Sequence, residues 1–229
     1  MASAVVTLPE RMPWDTFLDD MDWKQGEHVT LLGHTGSGKT TLARALLPKR
    51  EHTLIVATKP RDESLDLFRR EGFTVARKWP VDPRVFRKVV FWPKIDRTED
   101  VLVQQSEIGR MMSSVYRSGG WCLYFDEVRY ISDTLGLKPL LEMLWLQGRS
   151  LNLSVVAGTQ RPAWIPLEAY SQATHLFIWR DRDETNLKRL QGIGSIDHRE
   201  LKAMVRELPL HDVLYVHTRT GDVVRTRVR

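Results

Sequence analysis

The segment EHVTLLGHTGSGKTTLARALL, residues 27–47, decides the fold. It begins with β-branched and leucine residues and stops at Gly33, which is typical of a buried strand. It ends in helix-forming residues before Pro48, where a helix cannot continue. Between them, GHTGSGKT (residues 33–40) matches the pattern G-x-x-x-x-G-K-[ST]. Because the strand and the helix are the context that this pattern requires, the segment predicts a phosphate-binding loop.

The residue types of this loop suit a nucleotide that carries Mg²⁺. Glycines let backbone N–H groups turn inward around phosphates, and the helix N-terminus adds the positive end of its dipole. We expect Lys39 to reach the β- and γ-phosphates and the Thr40 hydroxyl to ligate Mg²⁺. We expect His34 to be an exposed spacer. The residues predicted to contact the nucleotide are Gly33, His34, Thr35, Gly36, Ser37, Gly38, Lys39, Thr40 and Thr41.

Apolar strand-like runs and helical patterns alternate along the rest of the chain. The predicted strands after the loop are residues 52–58, 73–77, 87–93, 121–127, 151–159 and 174–180, and the predicted helices are 63–72, 99–117, 138–148, 183–191 and 198–208. This alternation predicts an α/β fold, a P-loop NTPase with a mainly parallel central sheet covered on both faces. We expect one domain over residues 1–229, with an N-terminal extension (1–25) and a terminal β-hairpin (208–229) turning at Arg219–Asp222.

An acid pair, Asp126-Glu127, ends the buried run WCLYFDE. Ligands of parallel sheets bind beyond the carboxyl ends of the strands, so we expect this pair beside the phosphate loop. Asp126 would hold the Mg²⁺ shell, and Glu127 would act as the general base that activates water. The alternative is that the pair only caps the following helix.

Composition narrows the class of protein. The net charge is +5 and the pI is about 9.4, which favours a polyanionic partner, although a mixed-charge solvated surface explains it equally well. The sequence has one cysteine, no signal peptide pattern and no apolar run long enough to span a membrane. These features predict a cytoplasmic protein. The basic stretch RKWPVDPRVFRK, residues 77–88, is expected to be a surface connector, with a DNA-gripping loop as the alternative.

The stretch LQGRSLNLSVVAGTQRP, residues 146–162, places an arginine before a strand and a glutamine after it. We expect Gln160 to lie at the nucleotide edge, where an amide can contact both water and γ-phosphate. Arg149 lies eleven residues earlier, and an extended segment of that length spans roughly 30 Å. Arg149 and Gln160 are therefore not expected to serve one nucleotide. Arg149 is either a surface cation at a helix end or an arginine finger for a neighbouring subunit.

This stretch resembles the FtsK–HerA superfamily of ring-forming ATPases, in which a Gly-Arg pair, a buried strand and Thr-Gln-Arg-Pro follow one another. The phosphate loop and the acid pair occur in the order that the family shows. The resemblance implies nucleotide and hydrolysis roles for Lys39, Thr40, Asp126 and Glu127. It implies a sensor role for Gln160 and a finger role for Arg149. Arg161 and Arg180 are the competing candidates for the finger.

The resemblance also implies a function: an ATP-hydrolysing motor, a hexameric ring, that translocates double-stranded DNA. The sequence lacks the membrane anchor, DNA-reading domain and N-terminal barrel of the cellular members. This favours the compact form of viral genome-packaging ATPases, which would act in the host cytoplasm with a portal or capsid partner. Two alternatives stay open: a non-motor ATP-dependent switch that binds a protein partner, and a small-molecule kinase, for which we find no arginine-rich lid.

Overall fold

A computed structural model describes residues 7–93, 100–191, 193 and 196–229. The strands are β1 (His28–Leu32), β2 (Thr53–Val56), β3 (Thr74–Ala76), β4 (Lys88–Phe91), β5 (Cys122–Phe125), β6 (Ser154–Thr159), β7 (Ala173–Trp179), β8 (Asp212–His217) and β9 (Val223–Arg227). In the described part of the chain they form one sheet of order β3-β4-β2-β5-β6-β1-β7-β8-β9. The pairs from β3 to β7 are parallel, and β8 and β9 add antiparallel strands at one edge. The predicted mainly parallel sheet and terminal hairpin are confirmed.

The helices are α1 (Trp14–Asp20), α2 (Lys39–Leu46), α3 (Ser64–Arg70), α4 (Val101–Ser118), α5 (Lys138–Gln147), α6 (Glu168–Ser171), α7 (Glu184–Arg189) and α8 (His198–Glu207). The predicted start of α4 at Glu99 lies outside the described residues. The short helices α1 and α6 were not predicted. Within the described ranges, no helix is long and apolar enough to cross a membrane.

Both faces of the sheet are covered by helices. Val29 and Leu31 of β1 pack with α1, α2 and α3 on one face, whereas Leu32 packs with α4 to α8 on the other. Neighbouring residues of a strand point to opposite faces, so continuously apolar strands require two covering layers. The predicted double covering is confirmed.

The predicted N-terminal extension packs onto the terminal hairpin. The Met12 backbone N–H donates to the carbonyl of Arg225 at 2.8 Å, and the Thr226 hydroxyl donates to the Met12 carbonyl at 3.0 Å. In α1, the buried Phe17 ring contacts Phe177 of β7 and Tyr215 of β8. Residues far apart in sequence are thus joined at one edge of the sheet.

The strand of the Arg149–Gln160 stretch is shorter than predicted. We expected it to begin at Leu151, but β6 begins at Ser154. Residues Gly148–Leu151 form a 3₁₀ turn that continues α5, and Asn152 follows with φ of +53°. Asparagine tolerates this left-handed conformation, which turns the chain before it enters the sheet. The segment is therefore not extended over its whole length, and its span is below the expected 30 Å.

His28, the first residue of β1, is a neutral and fully bonded imidazole. Its Nδ1 accepts from the Val155 backbone N–H at 3.0 Å, so the proton is on Nε2, which donates to the Trp145 carbonyl at 3.1 Å. Burial lowers the pKa of His28 from the ordinary value of 6.5 to about 4. Protonating Nδ1 would place an N–H against the Val155 N–H.

We therefore predict that His28 makes the protein less stable as pH falls. The unfolded imidazole binds a proton near pH 6.5 but the folded one only near pH 4. Its contribution is fully present above pH 6.5 and is lost progressively down to pH 4, by roughly 3 kcal/mol in unfolding free energy. Urea denaturation of the wild type and of His28→Asn at several pH values in this window measures it.

The variant should show a shallower pH slope than the wild type. His211→Asn is a matched control, because His211 is exposed and its φ of +67° is one that asparagine adopts. Equal slopes for wild type and His28→Asn would contradict the prediction.

Candidate nucleotide site

The phosphate loop joins β1 to α2 at the carboxyl edge of the sheet. The Gly33 N–H donates to the Thr159 carbonyl at 3.2 Å, which ties the loop to the end of β6. Gly38 caps α2 with φ of +116°, a conformation that only glycine adopts readily. Within the loop, the buried Ser37 hydroxyl oxygen has no partner among the described residues. A free donor and a helix N-terminus at this point fit a bound phosphate chain.

Lys39 is the first residue of α2 and is buried, with 7% of its surface exposed. Its ammonium donates to the carbonyls of Gly33 at 2.5 Å and His34 at 3.0 Å. Burial lowers the pKa of Lys39, while the charges of Asp126 and Glu127 act in the opposite direction. The lysine therefore lies between the loop and the acid pair.

Asp126 lies directly after β5 and is linked to Thr40 through Tyr124. The Tyr124 hydroxyl donates to Asp126 Oδ1 at 2.8 Å and also interacts with the Thr40 side chain. Burial raises the pKa of Tyr124 well above its usual range, and the Asp126 charge raises it further. The phenol therefore stays a donor.

Thr40 and Asp126 present oxygen donors at one place, which fits the preference of Mg²⁺. Over the described ranges, no group of three or more His, Cys, Asp or Glu side chains could hold a metal ion. The remaining ligands of Mg²⁺ would be phosphate oxygens and water, as is usual for this ion. The structure therefore fits a metal bound together with nucleotide.

Lys59 contacts the same carboxylate from the other side. Its ammonium is 3.1 Å from Asp126 Oδ2 and 3.6 Å from Asp62. Partial burial by itself lowers the pKa of Lys59, but Asp126 and Asp62 raise it by more. Lys59 is thus a second cation in the site.

Glu127 is held by the residues that follow β6. Its Oε1 accepts from the Thr159 hydroxyl at 3.1 Å, and its Oε2 accepts from the Gln160 backbone N–H at 3.3 Å. The Gln160 side chain reaches the loop, where its Oε1 accepts from the Thr35 hydroxyl at 2.8 Å. The structure therefore brings Glu127, Gln160 and the phosphate loop together.

Gly158 explains how β5 and β6 come so close at this edge. A Cβ at Gly158 would lie 2.5 Å from the Asp126 carbonyl oxygen. Because real Cβ atoms do not approach a backbone oxygen that closely, any other residue would push Asp126 out of position. Glycine at position 158 is thus required by the position of Asp126.

The chain as a whole is similar to several known proteins. The ABC transporter family model matches residues 19–118, fewer than half of the 229 residues, and ends before the acid pair. The chain is 24% identical over 210 residues to the DNA packaging ATPase P9 of Enterobacteria phage PRD1, covering 88% of this chain and 87% of P9. The genome packaging NTPase B204 of Sulfolobus turreted icosahedral virus 2, in complex with sulfate, matches with a TM-score of 0.66. That match has 16% identity and covers 90% of this chain and 98% of B204. VirB4 of Thermoanaerobacter pseudethanolicus matches with a TM-score of 0.63 at 11% identity, over 88% and 89% of the two chains.

The chain has the P-loop NTPase fold and is an ATPase. In this ATPase, the phosphate loop and the acid pair lie next to each other at one edge of the sheet.

Three further polar residues lie at this edge of the sheet. His34 is mostly exposed, as expected of a spacer, and its imidazole Nε2 lies 3.7 Å from Asp181 Oδ1. Asp181 itself is buried, and its carboxylate accepts a hydrogen bond from the Asn186 side chain. Arg161 is exposed, and its guanidinium lies 6.0 Å from the Trp164 ring.

Arg149 lies at the opposite edge of the sheet. It is exposed in the 3₁₀ turn after α5, and its backbone packs against Gly26, just before β1. Its charge is one of the smaller causes that lower the pKa of His28, after burial. Because β1 and β6 are parallel, this amino edge is a strand length away from Gln160. The ATPase therefore keeps Arg149 away from its own phosphate loop.

Three residues of the site were not predicted from sequence: Lys59, Tyr124 and Thr159. Lys59 follows a predicted strand, so the rule that placed Asp126 at the carboxyl edge would have placed Lys59 there as well. Tyr124 lies two residues before Asp126, on the same face of β5. Thr159 has no such signal, because its role depends on the register between β5 and β6.

Proposed function

We propose that this ATPase is a motor that hydrolyses ATP with Mg²⁺ to move double-stranded DNA through a homo-oligomeric ring, and that it packages a viral genome. The observation that carries the proposal is the position of Arg149 at the edge of the sheet opposite to the phosphate loop. If Arg149 is an arginine finger, it must then act on the nucleotide of a second subunit. The similarity to P9 and B204, both named as packaging proteins, supports the genome as cargo.

Within one subunit, each residue has a distinct task. Lys39 would bind the β- and γ-phosphates, and Thr40 with Asp126 would hold Mg²⁺, which supplies positive charge to the phosphates. Glu127, oriented by the Thr159 hydroxyl and the Gln160 N–H, would accept a proton from the attacking water. Gln160 contacts both the loop and Glu127, so its position would report whether the γ-phosphate is present.

Arg149 would act on the nucleotide of the neighbouring subunit. A head-to-tail interface that brings the amino edge of one sheet to the carboxyl edge of the next repeats around a ring. An arginine supplied in this way stabilises the charge that develops on the transferred phosphoryl group. The FtsK–HerA resemblance favours six subunits.

The contacts made by residues of the basic stretch 77–88 favour a surface connector over a loop that binds DNA. Trp79 is buried against Phe91 and Trp121, so it cannot stack on bases. Arg84 is paired with Asp82 and Arg87 with Glu51. We therefore assign no DNA contact to this stretch.

If the protein is a DNA motor, duplex DNA is expected to stimulate its ATP hydrolysis. Adding duplex DNA should raise kcat several-fold, and the stimulation should weaken steeply between about 50 and 200 mM salt, because phosphate contacts release counterions. Phosphate release measured over a DNA titration tests this, with Lys39→Ala as the background control and heparin as a non-DNA polyanion. A flat response to DNA would favour the non-motor switch, and equal stimulation by heparin would also contradict a DNA motor.

A further inference from the structure

Lys59 lies in the turn after β2, at the carboxyl edge of the sheet. Its ammonium donates to Asp126 Oδ2 at 3.1 Å, while Tyr124 donates to Oδ1 at 2.8 Å. Both oxygens of the carboxylate expected to serve Mg²⁺ are therefore engaged by this chain itself. Tyr124 is a neutral donor, whereas Lys59 brings a full positive charge.

The backbone of this turn is held from two other elements. The Trp92 indole N–H, after β4, donates to the Lys59 carbonyl at 2.9 Å. The side chain of Gln104 in α4 donates to the Thr58 carbonyl at 3.0 Å, and its Oε1 accepts from the Tyr130 hydroxyl at 2.8 Å. Gln104 is completely buried. Because this buried side chain fixes the backbone at Thr58, it also fixes the position of the Lys59 backbone.

The Lys59 side chain is nevertheless free to leave Asp126. About half of it is exposed (52%), and its other contact, with Asp62, is 3.6 Å long. A divalent cation beside Asp126 and an ammonium at 3.1 Å from the same carboxylate repel each other. Binding of the divalent cation to Asp126 therefore disfavours the contact of Lys59 with Asp126, and the reverse also holds.

We propose that Lys59 is a positioning residue that competes with the divalent cation for Asp126, and so sets the Mg²⁺ concentration at which the nucleotide site fills. This inference rests on the proposed function, in which Asp126 holds Mg²⁺. In the absence of the cation, Lys59 and Tyr124 keep the carboxylate oriented. When the cation binds, Lys59 moves away and Tyr124 remains.

The test is direct measurement of divalent-cation binding to the whole protein. Mn²⁺ is titrated in the presence of ADP, and free Mn²⁺ is followed by electron paramagnetic resonance. Lys59→Met, which keeps the length of the side chain and removes the charge, should tighten Mn²⁺ binding by about two- to fivefold, the scale of a partly exposed ion pair. In an Asp126→Asn background, Lys59→Met should change Mn²⁺ affinity by much less.

Lys24→Met is the matched control, because Lys24 pairs with Asp22 at the same 3.1 Å but on an exposed surface outside the site. It should leave Mn²⁺ affinity unchanged. Unchanged or weaker Mn²⁺ binding by Lys59→Met would overturn the proposal, as would equal tightening in the Asp126→Asn background. Thermal denaturation of each variant identifies any that fail to fold, and Lys59→Gln then replaces Lys59→Met.

The measurement uses neither DNA nor hydrolysis. A flat response of the ATPase to DNA would therefore leave this inference intact. Failure of the wild type to bind Mn²⁺ with ADP would overturn both the competition and the proposed metal site.

Discussion

Glu127→Gln is expected to lower kcat for ATP hydrolysis by about 10²- to 10⁴-fold, while nucleotide binding remains. The Gln amide has the shape of the carboxylate, and its oxygen can still accept from the Thr159 hydroxyl, which lies 3.1 Å from Glu127 Oε1. It cannot take a proton from water. The loss is therefore one of chemistry and leaves the phosphate loop intact.

Single-turnover hydrolysis and equilibrium binding of a fluorescent ATP analogue, measured on the same preparation, separate the two effects. Glu142→Gln is the control, because it removes one carboxylate from an ion pair with Lys138 on α5, outside the site. A kcat within about threefold of the wild type would show that Glu127 is not the general base. Loss of nucleotide binding would show that Glu127 instead supports the site itself.

Arg149→Ala is expected to lower kcat by about 10³-fold or more if Arg149 is a finger for the neighbouring subunit. If Arg149 were only an exposed surface cation near a helix end, the same substitution would leave kcat almost unchanged. The size of the effect separates these two interpretations, but it does not show that the arginine acts between subunits.

Mixing inactive variants shows where the arginine acts. In rings of Arg149→Ala and Glu127→Gln subunits mixed at equal amounts, about one quarter of interfaces pair an intact base with an intact finger. Activity should recover to a corresponding fraction of the wild type. Native mass spectrometry of the mixed sample verifies that the rings contain both variants.

Arg161→Ala mixed with Glu127→Gln is the matched control. Arg161 directly follows Gln160 on the nucleotide edge, so it would act within its own subunit and its loss would not be complemented. No recovery with Arg149→Ala in verified mixed rings would refute action between subunits. Recovery with Arg161→Ala would make Arg161 the finger.

The fold and the centre of the nucleotide site could be predicted from sequence because their signals are local. The phosphate loop is one short pattern between a strand and a helix. In a parallel sheet, every residue that follows a strand lies at the same edge, so Asp126, Glu127 and Gln160 could be placed there without a structure. The expected length of the strand between Arg149 and Gln160 separated these two residues, although β6 proved shorter than expected.

Only the tertiary structure decided what surrounds these residues. The bond from Lys59 to Asp126 joins residues 67 apart, and the bond from Thr159 to Glu127 joins residues 32 apart. Their geometry depends on which strands are neighbours and on their register, which residue types alone do not specify. The requirement for glycine at position 158 likewise arises from the backbone of another strand. The sequence by itself determined which residue types are available to bind nucleotide and Mg²⁺. Strand order and register decided which other side chains contact and orient those residues.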